Sequence, residues 1–74
     1  MDAVQFRDLL HRSMLSKTDK QIALSRIAFG AALPDIGATV NMDRSTVSYR
    51  LRKKILPELE RVMRLPQYKE NPGA

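Results

Sequence analysis

Residues 33–51 read LPDIGATVNMDRSTVSYRL, and their pattern predicts two short helices joined by a tight turn. Pro34 suits a first helical turn, where a missing backbone amide is tolerated, and Asp35 is favoured there by the helix dipole. Asn41 tolerates positive φ and therefore suits the position that ends this helix. The stretch predicts one helix before Asn41 and another after it.

The second helix of this pair is expected over residues 44–56, with Asp43 as its N-terminal cap. Gly37, four residues before the turn, provides the small residue that a close crossing of two helices needs. Apolar residues lie on both sides of the turn and predict a shared core: Ile36, Val40, Met42, Val47 and Leu51. The spacing as a whole predicts a helix-turn-helix.

One face of the helix over residues 44–56 carries an excess of cationic and hydroxyl side chains. Val47, Leu51 and Ile55 are spaced by four residues and are expected to face inward. This leaves a cluster on an adjacent side, here called the base-contacting face: Arg44, Ser45, Ser48, Tyr49 and Arg52. A merely solvated helix more often alternates Glu and Lys, yet residues 44–55 contain no acidic residue. The pattern favours an anionic partner.

Such a helix is roughly 20 Å long and fits a DNA major groove. Arg44 and Arg52 are candidates for guanine contacts, and Ser45 and Ser48 for contacts to a base or a phosphate. Tyr49 is a candidate for a thymine methyl, a base edge or a phosphate.

Three more cations of this helix lie outside the base-contacting face: Arg50, Lys53 and Lys54. We expect them to neutralise DNA phosphates, which adds affinity and salt dependence without sequence information.

Two helices are expected before residue 33. In the first, Asp2 lies near the start, and apolar residues recur at helical spacing: Phe6, Leu9, Leu10 and Met14. In the second, over residues 19–29, Thr18 and Gln21 have the spacing of a capping box. Its expected core residues are Ile22, Ala23 and Ile27, and Gly30 suits the left-handed position that ends a helix.

The C-terminal stretch ELERVMRL, residues 58–65, follows Pro57, which either starts a new helix or kinks the fourth. Its apolar side predicts a dimer interface through Leu59, Val62 and Met63, because so short a chain has a small core and benefits from association. Residues 66–74, PQYKENPGA, are polar and predict a flexible tail. Residues 1–65 are thus expected to form an all-α bundle of four or five helices that contains the helix-turn-helix.

Composition excludes several classes of function. The 74-residue chain contains no cysteine and one histidine, so neither a disulfide, a thiolate metal site nor a catalytic constellation is expected, and no cofactor is implied. It shows neither a membrane-spanning run nor a secretory signal, so a cytoplasmic protein without a membrane partner is expected. The net charge of +5 agrees with an anionic partner.

Three stretches together resemble the KorA (TrfB-type) repressors of conjugative plasmids: Gln5–Phe6, IALSRIAFG at 22–30 and DRSTVSYRLRKKI at 43–55. The resemblance implies a dimeric repressor that binds a palindromic operator and competes with RNA polymerase. By position, the motif would span about residues 33–52. KorA-like proteins continue into a longer C-terminal dimerisation region than residues 57–74 provide, so the resemblance leaves the mode of dimerisation open.

The function expected from the sequence is that of a DNA-binding transcriptional regulator, a repressor that binds its operator as a homodimer. Control by protein concentration is expected, because no separate ligand domain for a small-molecule effector is evident. The alternative from another class is a protein-interaction domain, related to the DNA-binding end of a sigma factor, that contacts RNA polymerase or an antagonist. RNA binding ranks third, because only four aromatic residues are present and no stacking platform is visible.

Overall fold

The computed structural model describes residues 2–65, and all regular structure within that range is helical. The α-helices are α1 (Ala3–Arg12), α2 (Lys17–Ala23), α3 (Leu33–Val40), α4 (Arg44–Arg50) and α5 (Leu56–Met63). A π-helical segment, Leu24–Ala28, continues α2, and another, Leu51–Ile55, joins α4 to α5. The described residues thus form four helical rods, and the predicted all-α bundle is confirmed. The tail predicted over residues 66–74 lies outside the described residues.

The first rod begins with a capping box. Asp2 Oδ1 accepts a hydrogen bond from the Gln5 amide at 2.8 Å, and Gln5 Oε1 accepts one from the Asp2 amide at 3.1 Å. The expected core residues Phe6, Leu9 and Leu10 are buried. The prediction for Met14 is wrong, because α1 ends at Arg12 and Met14 is exposed beyond it.

The second rod begins two residues earlier than predicted. Ser16 is the N-cap, and its hydroxyl oxygen accepts a hydrogen bond from the Asp19 amide at 3.1 Å. The capping box expected from Thr18 and Gln21 is therefore wrong. Ser16 satisfies an amide of the first turn, so the helix starts at Lys17.

The end of the second rod differs from a plain α-helix. A π-helical turn closes its hydrogen bonds one residue later than an α-helical turn, so the side chains that follow are rotated about the axis. Ile22 and Ala23 are buried as predicted, but Ile27 lies within the π-helical segment and is 46% exposed. The prediction of Ile27 as a core residue is wrong for this reason. Gly30 has φ 65°, which confirms the left-handed residue expected after the helix.

The longest rod runs from Arg44 to Met63 and supplies much of the core. Its buried residues are spaced by four and then three: Val47, Leu51, Ile55, Leu59 and Val62. In a straight α-helix, residues spaced by four drift around the axis, because 3.6 residues complete a turn. The wider turns of Leu51–Ile55 offset this drift. The stripe therefore keeps facing the other rods, whose core residues are Phe6, Leu9, Leu10, Ile22, Ala23 and Ile36.

The turn between α3 and α4 has the predicted local structure. Asn41 is left-handed, with φ 59° and ψ 48°, and its neighbour Met42 donates its amide hydrogen to the Gly37 carbonyl at 2.9 Å. Asp43 caps α4 by accepting a hydrogen bond from the Thr46 amide at 2.7 Å. A side chain at Gly37 would overlap the carbonyl oxygen of Met42. The turn is therefore tight because Gly37 has no Cβ.

Glu58 connects α5 to the segment that follows α1. Its carboxylate accepts two hydrogen bonds from Arg61, both at 2.8 Å, and one from the Met14 amide at 2.6 Å. The Arg61 hydrogen bond, with the Met14 amide adding to it, lowers the pKa of Glu58 from 4.5 to about 2. Within residues 2–65, no helix has the length and apolar content to cross a bilayer.

We expect Gly37→Ala to lower the free energy of unfolding by about 1–3 kcal/mol, because the new methyl group meets backbone rather than a flexible side chain. The sign of this change tests the close approach, because Gly→Ala at an unhindered helical position raises the free energy of unfolding by roughly 0.5–1 kcal/mol. Urea unfolding followed by circular dichroism measures it, with Ala38→Gly at the exposed neighbouring position as control. Unchanged or raised stability for Gly37→Ala would contradict the close approach.

We expect Glu58→Gln to make the thermal stability of the protein depend less on pH in acid. Because the folded pKa of Glu58 is lower than its ordinary value, its ionised form stabilises the protein above about pH 4.5. That contribution is lost as pH falls from about 4.5 to about 2. Thermal unfolding between pH 7 and pH 2 should show a smaller loss of Tm for Glu58→Gln than for the parent chain. Glu60→Gln, two residues further along α5 and outside the Met14 contact, is the matched control and should lose Tm on acidification as the parent chain does.

Candidate nucleic-acid interface

The start of α4 is fixed by its cap. The side chain and backbone amide of Thr46 hydrogen bond to Asp43 and hold the pKa of that carboxyl below its usual value, with the side-chain bond the larger cause. Asp43 is therefore ionised at neutral pH and remains a strong acceptor for the first turn. This fixes the direction in which the first side chains of α4 leave the helix.

A polar cleft lies between α4, the start of α3 and the π-helical segment of the second rod. Its volume is about 490 Å³, and residues 32–34 form one side. Four of the five residues of the predicted base-contacting face line this cleft, together with one residue from the second rod. We call it the arginine cleft, and its polar lining residues are Arg26, Arg44, Ser45, Ser48 and Arg52. No acidic residue of the described range is among its lining residues. Three guanidinium groups thus share one open cleft without a carboxylate.

The remaining predicted contact residues lie outside the arginine cleft. Tyr49 belongs to the base-contacting face but is 51% exposed beside the cleft rather than lining it. Lys53 and Lys54 are exposed on the π-helical segment that follows α4. Their positions leave them accessible to an anionic surface larger than the cleft itself.

Arg50 has a different role from the predicted phosphate contact. Its Nη1 donates a hydrogen bond to Asp19 Oδ1 at 2.9 Å, and the Asp19 side chain is only 9% exposed. A carboxylate at this depth needs a charged or hydrogen-bonding partner, and losing that partner is costly. Arg50 therefore joins α4 to α2, and its charge is paired with Asp19 rather than left for a phosphate as predicted.

The predicted dimer interface also needs correction. Leu59 is 4% exposed and Val62 is fully buried, because both pack into the core of their own chain. Neither can contact a second molecule without opening that core. Of the predicted set only Met63 is accessible, with 48% of its surface exposed.

Met63 lies on a second depression, between α1, α5 and the π-helical segment of the second rod. Its volume is about 690 Å³, and we call it the apolar groove after its main lining residues: Phe6, Leu9, Ile27, Leu56 and Met63. Ile27, Leu56 and Met63 are each nearly half exposed there. The charged residues that line it, Asp2 and Glu60, are both acidic. The groove therefore differs from the arginine cleft in both polarity and charge.

Arg26 is the residue of the arginine cleft that the sequence did not indicate. It was expected within a helix that serves packing, and no pattern set it apart from other surface cations. Its Nη1 donates a hydrogen bond to the Ala31 carbonyl at 2.9 Å, which holds the side chain beside the start of α3. Only the path of the second rod, with its π-helical end, brings Arg26 to α4.

Comparison of the chain with protein-family models, with curated proteins and with solved structures found no match. The resemblance to KorA-type repressors therefore stays a prediction.

Proposed function

We propose that this protein is a sequence-specific DNA-binding transcriptional regulator in which α3, the turn and α4 act as a helix-turn-helix. One observation carries the proposal: Arg44, Ser45, Ser48 and Arg52 converge on the arginine cleft, and no acidic residue lines it. Exposed guanidinium groups with no carboxylate beside them in the cleft favour an anionic partner. Hydroxyl groups between them add donors and acceptors that base edges and phosphates both use.

The proposed mode of binding places α4 and the segment Leu51–Ile55 in the major groove. These twelve residues are about 18 Å long, and the major groove is about 12 Å wide and admits a helix. Arg44 and Arg52 can each contact O6 and N7 of a guanine with two hydrogen bonds. Tyr49 beside them contacts a thymine methyl or a base edge, and Lys53 and Lys54 contact phosphates.

Duplex DNA is favoured over single-stranded nucleic acid by the scarcity of exposed aromatic rings. Binding to single strands relies on rings on which successive bases stack. In the described range Phe6 is buried in the core, while Phe29 and Tyr49 are exposed on different rods. A hydroxyl- and guanidinium-lined helix suits the hydrogen-bonding pattern of a major groove better.

The repressor part of the proposal includes a homodimer, now with the apolar groove as its interface. Ser48 in the arginine cleft and Glu60 at the groove are twelve residues apart on one continuous rod, or about 18 Å. Two copies joined end to end at the groove would hold their base-contacting faces up to about 36 Å apart. Successive major grooves on one face of DNA are about 34 Å apart. The upper limit for a second copy at the groove therefore reaches the spacing that a palindromic operator requires.

The alternative is a sigma-region-like protein-interaction domain that contacts RNA polymerase or an antagonist. The observation that favours it is the apolar groove, since nearly half-exposed Ile27, Leu56 and Met63 also suit a helix of a different protein. In that case the groove would bind the partner and the arginine cleft would not discriminate between DNA sequences.

We expect Arg44→Ala, Tyr49→Ala and Arg52→Ala to weaken binding to a selected duplex by about 1–3 kcal/mol for each lost base contact. Their affinity for a scrambled duplex should fall much less. Lys53→Ala and Lys54→Ala should weaken binding to both duplexes equally and reduce the salt slope by about one unit each. The measurement is a salt titration of each variant on a duplex enriched from a random library and on its scrambled counterpart.

Arg7→Ala, on the exposed side of α1 and away from the arginine cleft, is the control that removes one charge of the same chemistry. If the Arg44, Tyr49 and Arg52 variants kept the parent ratio between the two duplexes, α4 would not contact bases. Binding to polymerase without DNA would then support the alternative.

We expect Met63→Glu to convert a micromolar homodimer into a monomer, because a carboxylate would be buried at the groove. The dissociation constant of the dimer should rise about tenfold or more, which corresponds to roughly 1.4 kcal/mol. Sedimentation equilibrium measures the mass, and thermal unfolding checks that the fold is kept. Val4→Glu, exposed on α1 outside the groove, is the matched control and should remain dimeric.

Higher salt should strengthen the dimer, since Asp2 and Glu60 of both copies would lie near the same interface. A parent chain that is monomeric at micromolar concentration, or an unchanged mass for Met63→Glu, would rule out this interface.

A further inference from the structure

Arg26 occupies a position that the helix-turn-helix itself does not explain. It lies on the π-helical segment of the second rod, six residues before Ala32, the N-cap of α3, yet it lines the same cleft as Arg44 and Arg52. Resting on the proposed function, we infer that Arg26 binds a DNA backbone phosphate beside the bases that α4 contacts. It thereby sets the position of α4 along the groove.

The charge of the arginine cleft limits what can occupy it. Three guanidinium groups repel one another, and none of the residues that line the cleft is acidic. An anion with several oxygen atoms relieves this repulsion, and Arg binds phosphate with two parallel hydrogen bonds more readily than Lys does. A backbone phosphate is therefore the favoured ligand of Arg26, while Arg44 and Arg52 face the bases.

Arg26 is held in place before any ligand binds. One of its five N–H donors is used by the Ala31 carbonyl at 2.9 Å, which leaves the others for a ligand. The loop that carries Ala31 is itself bound to the second rod, because the Gly30 amide donates to Arg26 O at 3.1 Å and the Ala31 amide to Ser25 O at 2.9 Å. Holding the side chain in advance lowers the entropy lost on binding.

The source of the phosphate follows from the neighbours of Arg26. Arg44 and Ser45 stand at the first turn of α4, where base contacts are proposed, so a backbone phosphate of the same duplex would reach the cleft when α4 enters the groove. A phosphate contact carries no sequence information and instead fixes register and orientation. The contact should therefore add equal affinity for every duplex.

The test compares Arg26→Gln with the parent chain in a salt titration on the selected and the scrambled duplex. Gln keeps an N–H donor but removes the charge, and Arg7→Gln on α1 is the matched control. We expect the salt slope for Arg26→Gln to be shallower by about one unit on both duplexes. Between about 50 and about 200 mM salt, the parent should then lose about fourfold more affinity than the variant. The ratio between the two duplexes should stay at the parent value.

The outcomes separate this inference from the proposed function. A parent chain that prefers the selected duplex, with an Arg26→Gln slope equal to those of the parent and Arg7→Gln, would overturn the phosphate contact alone. A parent chain that binds no duplex would overturn both. A second arm titrates inorganic phosphate while the Arg26 Nε–H resonance is followed by NMR. Saturation at low millimolar phosphate without DNA would identify a free anion as the ligand and overturn the assignment to the DNA backbone.

Discussion

The close approach of α3 and α4 is the constraint on which the rest of the structure depends. Gly37 lies against the carbonyl oxygen of Met42, and the Met42 amide returns a hydrogen bond to the Gly37 carbonyl. Asn41 can reverse the chain there only because it adopts a left-handed conformation. With the crossing set at this point, the start of α3 and the start of α4 open toward the same cleft. The positions of Arg44 and Arg52 follow from that crossing.

The rod from Arg44 to Met63 presents different faces to the core and to solvent. Its buried stripe depends on the π-helical turns of Leu51–Ile55, which keep residues spaced by four on the core side. The same continuity connects the arginine cleft at one end to the apolar groove at the other. The Asp19–Arg50 ion pair fixes this rod to α2. One cation of α4, Arg50, therefore holds the fold together, while Arg44 and Arg52 line the open arginine cleft.

The sequence by itself determined the local structure of the central unit. Pro34, Asn41 and Asp43 act within their own turn, through a fixed φ, a left-handed conformation and a side-chain cap, so their effects were predictable without a tertiary structure. The grouping of Arg44, Ser45, Ser48 and Arg52 on one side was predictable too, because the apolar period of α4 leaves its polar side chains there. A glycine four residues before the turn also indicated where the helices would approach most closely, as Gly37 does.

Only the tertiary structure decided which surfaces remain accessible and which charges meet. Leu59 and Val62 have the spacing of an interface and of a core alike, and their burial against the other rods assigned them to the core. Asp19 and Arg50 are far apart in the sequence, so only packing could pair them. Arg26 reaches the arginine cleft through the π-helical end of the second rod. Periodicity reports which residues share a face of one helix, whereas the neighbour that covers the face depends on how the helices cross.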